Sequence, residues 1–296
     1  MNNKAFADLF NSPLISGNTF STSSSLQQPS SSTNTTLTSS LGTSINNPNT
    51  LIKSFAYHED KNLKYRKSME DYGTIFPNLT SNYTTSLFGI FDGHGGTDVV
   101  KYIKDRLPLI IKQSLSSSMK TTLTNAFTQI DNELRFYDSE HTGSTATIII
   151  IQNNTIHCAN VGDSHAYLLT KNKYTKLTTE HKCTDETEAK RITQQGGTIQ
   201  KGRVNGQLVL SRTLGDLHVK QHGVIALPSI SVNTITNDVT FCIIASDGVW
   251  DVIDGDYLLA MSKAYVHAGE FAKKIVDSAI ERGSKDNVSC VVVGFV

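Results

Sequence analysis

Ser86-Leu87-Phe88-Gly89-Ile90-Phe91 runs without a charge into Asp92-Gly93-His94-Gly95-Gly96, and an amphipathic pattern begins at Val99. The apolar run has the length of a buried strand. Its polar end delivers a carboxylate, an imidazole and flexible glycines to a sheet edge. Such an edge can hold a hard cation or a phosphate. Asp and Gly are also ordinary turn residues, so the stretch alone reads equally well as a strand-to-helix turn. What separates the two readings is how many other carboxylates sit at similar strand ends.

The chain has 296 residues, enough for one large domain or two small ones. Its 27 basic and 27 acidic residues balance, so no net field favours nucleic acid or an anionic membrane surface. No apolar run approaches the length of a bilayer-spanning helix. Lys4 and Asp8 flank a short apolar patch without the continuous apolar core of a signal peptide. Cys158, Cys183, Cys242 and Cys290 form no Cys-x-x-Cys pair, and read as reduced thiols. A cytoplasmic protein is expected, with a nuclear location as the alternative.

From Leu9 to Ile52 no side chain is charged, and Ser, Thr and Asn dominate from Ser21 to Thr50. Such a tract buries too little apolar area to offset its ordering entropy, so residues 1–52 are expected to be a disordered tail. From Lys53 the texture changes. Strands are expected at Ser54–His58, Asp71–Phe76 and Ser86–Phe91, followed by two helical patterns. Val99, Tyr102, Ile103, Leu107 and Ile110 form the first apolar stripe, and Leu123, Phe127, Ile130 and Leu134 the second. Thr145–Ile151, Thr155–Val161 and Ala166–Leu169 read as a strand meander. A short helix over Asp185–Gln195, a strand over Val239–Ala245, helices over Asp256–Tyr265 and Glu270–Arg282, and a strand over Val288–Phe295 complete the chain. Strands in blocks and helices in pairs predict an α+β fold, an antiparallel β-sandwich with helices on its outer faces.

Four acidic clusters share one design. Glu70-Asp71 opens a strand, Asp92 closes one, Asp247 (with Asp251 four residues on) closes another, and Asp286-Asn287 opens the last. If these strands lie side by side and alternate in direction, the four ends meet at one edge of the sandwich. Clustered carboxylates repel, and oxygen-only ligands suit Mg²⁺ or Mn²⁺. No His/Cys set has zinc spacing. Asp254 reads as a helix cap. Arg66, four residues before Glu70, offers a planar fork for a phosphate dianion, although beside Lys64 and Lys67 it also reads as a solvated charge.

Rival chemistries fail on residues. A cysteine-nucleophile phosphatase needs Arg six residues after its Cys, and those positions hold Ser164, Ala189, Gly248 and Val296. No P-loop and no Gly-x-Ser-x-Gly elbow occurs.

The ordered motifs resemble those of the metal-dependent protein serine/threonine phosphatases of type 2C, from about Ser54 to Val296. They are Arg66-x-x-x-Glu70-Asp71, Phe91 to Gly96, Gly143-Ser144-Thr145-Ala146, Val161-Gly162-Asp163-Ser164, Glu180-His181-Lys182 and Arg203-Val204-Asn205-Gly206. Leu210 to Asp216, Ala245 to Asp251 and Ser284 to Ser289 continue the series.

The resemblance implies a four-layer α-β-β-α sandwich, with residues 53–296 as the catalytic domain and two Mg²⁺ or Mn²⁺ ions at one end. It implies that Asp92 bridges both metals, the Gly93 carbonyl binds one, and Asp247 and Asp286 bind the other, while Glu70 and Asp71 act through metal-bound waters. Asp163 and Asp251 match a weaker third site. Arg66 would hold the phosphate, His94 would act as general acid, and a metal-bridging hydroxide would attack in line. Phosphoprotein substrates and a monomer are expected. The alternative is a catalytically inactive scaffold, which loss of metal ligands would signal; Asp92, Asp247 and Asp286 are all present. His165, Cys183 and Ser229 depart from the usual Arg, Pro and acidic residue.

Overall fold

The apolar runs pair as antiparallel strands in two sheets whose alternating side chains feed three separate apolar layers. This computed structural model describes residues 51–81 and 84–295, so the expected tail lies outside the described residues except for its last two positions. In chain order the first elements are β1 (Ser54–Asp60), β2 (Asp71–Phe76), β3 (Thr85–His94), α1 (Asp98–Gln113) and α2 (Met119–Glu133). Strands β4 (Gly143–Ser144), β5 (Ala146–Gln152), β6 (Thr155–Val161), β7 (His165–Thr170) and β8 (Tyr174–Lys176) follow. A smaller region holds α3 (Glu186–Gln194), β9 (Ile199–Gln200), β10 (Arg203–Val204), β11 (Leu214–Gly215) and α4 (Leu217–Lys220). The chain continues through β12 (Ser229–Thr234), β13 (Val239–Ala245), α5 (Asp247–Trp250), α6 (Gly255–Ser262), α7 (Ala268–Glu281) and β14 (Val288–Gly294).

One sheet has the order β1-β14-β13-β7-β8. The other runs β11-β4-β3-β5-β6-β12, with β2 also on β3. Side chains alternate across each strand, as a period of two requires. In β3, Phe88 and Ile90 enter the core between the sheets, where they join Cys242, Ile244, Val291 and Val293. Leu87 and Phe91 point the other way, onto Val100, Ile103 and Leu107 of α1 and onto Phe127 of α2. In β13, Phe241, Ile243 and Ala245 face Phe271, Ile275 and Ala279 of α7. The layers are therefore helix, sheet, sheet, helix, as expected.

The expected meander breaks after its second strand. β5 pairs with β6, but β7 crosses to the other sheet and pairs with β13. The crossing is made at Gly162-Asp163-Ser164, where Gly162 has φ +97°. His181, fully buried, braces this turn by accepting from the Gly162 N–H at 3.2 Å. β12, an edge strand on β6, was not expected: its alternating Ser and Asn residues carry little apolar signal. Asp254 caps α6 by accepting from the Tyr257 N–H at 2.8 Å. Asp185 caps α3 in the same way, accepting from the N–H groups of Thr187 and Glu188.

Candidate active site

The four acidic strand ends meet, but not as neighbours in one sheet. Asp71 and Asp92 lie directly opposite each other where β2 pairs with β3. Asp247 follows β13 and Asp286 precedes β14, and those two strands pair in the other sheet. The acidic end of each sheet thus faces the other across one end of the sandwich. Between them lies a cavity of about 330 Å³, bordered by Glu70, Asp92, Asp163, Asp247, Asp251 and Asp286. Arg66, Gly93, His94 and Lys182 also border it. A larger hollow of about 420 Å³ on the outer face of α2 has one ionisable group, Glu133, which Arg106 already engages at 2.9 Å.

Each side chain is held by its local sequence. The Asp92 N–H donates to Thr145 Oγ1 at 3.1 Å, and its carbonyl accepts from the Thr145 N–H at 2.9 Å. Gly93 donates to the Glu70 carbonyl at 3.0 Å. A Cβ on Gly93 would stand 2.8 Å from Val100 Cβ and 2.9 Å from that carbonyl, so no larger residue fits between helix and strand. Asp71 is 2 % exposed, and its Oδ2 accepts from the Ser246 and Ser289 hydroxyls at 2.6 and 2.8 Å. Asn287 joins the loops: its side-chain oxygen accepts from the Glu70 N–H, and its amide donates to the carbonyls of Lys61 and Ser68.

The electrostatics are those of crowded, buried carboxylates. Burial, then the charges of Asp71 and Asp247, carry Asp92 well above the usual carboxylate range. Burial, then Asp163 and Asp286, push Asp247 up to about 8. Burial pushes Asp71 up to about 6, against its two serine donors. Asp286 is raised by burial and less so because Arg66 opposes the shift. Among the described residues no three acidic, His or Cys side chains close on a single point. They line a shared cavity instead, and Arg66 holds Asp286 directly. The donor set, all oxygen and mutually repelling, fits hard divalent cations.

His94 stands at the rim, with its side chain 34 % exposed. Its Nε2 lies 2.8 and 2.9 Å from the two carboxylate oxygens of Asp216. Burial works against the imidazolium, but that hydrogen bond and charge outweigh it and raise the His94 pKa. Asp216, Asn287, Ser246 and Ser289 each lie inside a quoted motif, but nothing local in the sequence marks their roles. Of the three departures, His165 is buried, pushed down to about 4 by burial and then Lys176, and lies 3.1 Å from Lys176 Nζ. Cys183 is fully buried, and burial raises its thiol. The Ser229 hydroxyl is 2.8 Å from His181 Nε2.

Residues 55–288 match the family model described as protein phosphatase 2C. A probable protein phosphatase 2C of Arabidopsis thaliana is 37% identical over 250 residues, covering 82% of this chain and 70% of that protein. A protein phosphatase 2C homolog of Saccharomyces cerevisiae is 33% identical, covering 79% of this chain and 91% of its own length. The solved serine-threonine phosphatase 2C of Toxoplasma gondii superposes with a TM-score of 0.72 at 20% identity, over 81% of this chain and 94% of that one, a likeness of fold. A matched model over most of the chain and relatives above 30% identity lead to one conclusion: the chain belongs to the protein phosphatase 2C family and is a protein serine/threonine phosphatase.

Proposed function

We propose that the chain hydrolyses phosphoserine and phosphothreonine in protein substrates by in-line attack of water at phosphorus, with His94 as the general acid and Arg66 as the phosphate clamp. One observation carries this reading: a wall of carboxylates, a guanidinium and an imidazole border the same cavity of about 330 Å³. Asp92, the Gly93 carbonyl, Asp247 and Asp286 would hold two Mg²⁺ or Mn²⁺ ions, with Glu70 and Asp71 behind them and Asp163 and Asp251 at a third, weaker site. When bound, such ions relieve the carboxylate repulsion and supply the Lewis acidity that displacement at phosphorus needs.

The rest falls to side chains. Arg66, which holds Asp286 directly, presents the fork that orients the phosphate once that carboxylate is otherwise engaged. The attacking oxygen bonds to phosphorus as the bond to the Ser or Thr oxygen breaks. His94 gives that oxygen its proton, and the products are inorganic phosphate and a free hydroxyl. Asp71, with one oxygen on two serines, is suited to orienting neighbours more than to direct ligation. We take the domain to be residues 53–296, acting as a monomer. Among the described residues no helix is long and apolar enough to cross a membrane.

Turnover of a phosphothreonine peptide with Mn²⁺ tests the proposal. Asp247→Asn is expected to lower kcat/KM by about a hundredfold or more. Equal turnover by that variant, or undiminished turnover in chelator, overturns it.

A further inference from the structure

His94 and Asp216 are far apart in sequence, and a short three-strand ladder brings them together. His94 pairs with Gly143 across β3 and β4, and Gly143 pairs with Gly215 across β4 and β11. Asp216 follows at once, and its carboxylate lies over Gly143. A Cβ at position 143 would stand 2.2 Å from Asp216 Oδ2, so the glycine leaves the space through which the carboxylate reaches His94. Both carboxylate oxygens lie within 2.9 Å of Nε2.

The carboxylate has little freedom to move. Its side chain is 2 % exposed, and the backbone at Asp216 is left-handed, with φ 53° and ψ 48°. The Asp216 N–H donates to the Thr142 carbonyl at 3.0 Å, and the Gly215 N–H to Asp131 Oδ1 of α2 at 2.9 Å. Lys220 bridges Asp131 at 2.9 Å and the Thr213 carbonyl at 2.7 Å, which locks the turn from its far side. A buried carboxylate needs a donor, and His94 is the donor that both oxygens face.

We propose that Asp216 is the positioning residue for His94: by occupying Nε2, it leaves Nδ1 as the nitrogen that serves the leaving oxygen of the substrate. Nδ1 makes no hydrogen bond among the described residues, and His94 borders the cavity. Holding one imidazole nitrogen fixes both the ring plane and the tautomer. This inference rests on the reading of His94 as general acid.

Asp216→Asn is the test, because Asn keeps the volume and tolerates the left-handed backbone but can oppose Nε2–H with its own amide. With Mn²⁺, kcat on phenyl phosphate, whose leaving group needs a proton, is expected to fall by about ten- to a hundredfold. On p-nitrophenyl phosphate, whose leaving anion is already stabilised, the loss is expected to stay under about threefold. In a His94→Ala background the same change should cost nothing further. Equal losses on the two esters, or additive losses in the double variant, overturn the inference. Imidazole ¹⁵N spectra of the metal-free protein give a second reading, independent of turnover. In the neutral imidazole, recorded at a pH above its titration, Nε2 of His94 is expected to be the protonated nitrogen in the wild type and to lose that preference in Asp216→Asn. Unchanged spectra overturn the positioning role even if the esters are hydrolysed. A wild type that hydrolyses neither ester but shows the expected spectra overturns the proposed function and upholds the Asp216–His94 geometry.

Discussion

Glu188→Gln is expected to destabilise the smaller region around α3, and the structure sets the size of the effect. Glu188 is 3 % exposed and accepts from Arg212 at 2.6 and 3.0 Å and from the Ser211 hydroxyl at 2.5 Å. Arg191 approaches within 2.8 Å. Burial works against the charge on Glu188, but these donors outweigh it and hold the carboxyl down to about 2 from an ordinary 4.5. That displacement corresponds to about 3 kcal/mol of folded-state preference for the ionised form.

Removing one partner of a buried pair costs about 3–5 kcal/mol. Both arginines keep carbonyl partners, Arg191 on Ser211 and Gly223 and Arg212 on Leu227, so the lower figure applies. About 3 kcal/mol lowers Tm by about 6–12 °C if the domain unfolds as one. The local core beneath is small: Cys183, Ile192, Val204, Val219 and Val224. Proteolytic cleavage within residues 182–226 should therefore rise as well.

The sign with pH follows from the depressed carboxyl. The wild-type advantage is complete above the unfolded pKa of about 4.5 and is lost as pH falls through about 2, below which both chains carry a neutral side chain. Thermal melts of the two proteins from pH 7 down to pH 3, with limited proteolysis at pH 7, make the measurement. A Tm difference under about 1 °C at pH 7, or one that widens as pH falls, refutes the reasoning.

Three further outcomes are expected. Gly93→Ala should abolish Mn²⁺-supported turnover, since its Cβ meets Val100 and the Glu70 carbonyl below 3 Å; overpacking should also cost about 1–3 kcal/mol by urea denaturation, and an active, equally stable variant contradicts the close approach. Mn²⁺ at about a hundredfold its Kd should stabilise the fold by about 2.7 kcal/mol, and a Tm indifferent to chelator contradicts cation binding by the carboxylate wall. All four cysteines are buried, and burial raises each thiol, so the native protein at neutral pH should resist a thiol reagent that labels it fully in denaturant; rapid labelling of any one argues against this packing.

Much of this was legible along the chain because its causes are local. β2, β6 and β13 begin and end where apolar alternation and turn residues say they should. The cap Asp254 acts within three residues of itself. The carboxylates at strand ends, and the family to which their order points, are likewise properties of short segments. β12 lacks an apolar signal because four of its six side chains are polar, and its pairing with β6 holds it in place. The crossing of β7 was missed because both sheets can accept an apolar strand, and nothing nearby says which.

Pairing over long distances decided the rest. That Asp71 opposes Asp92, that Asp247 and Asp286 come from the opposing sheet, and that Arg66 holds Asp286 all depend on segments up to 220 residues apart. The partner of His94 is the sharpest case. Asp216 reaches it only because β4 lies between β3 and β11 and carries a glycine at the crossing. Side-chain identity along the chain sets what each group can do. Hydrogen-bond register and burial, which exist only once distant strands have paired, set which groups meet and what that meeting does to their charge.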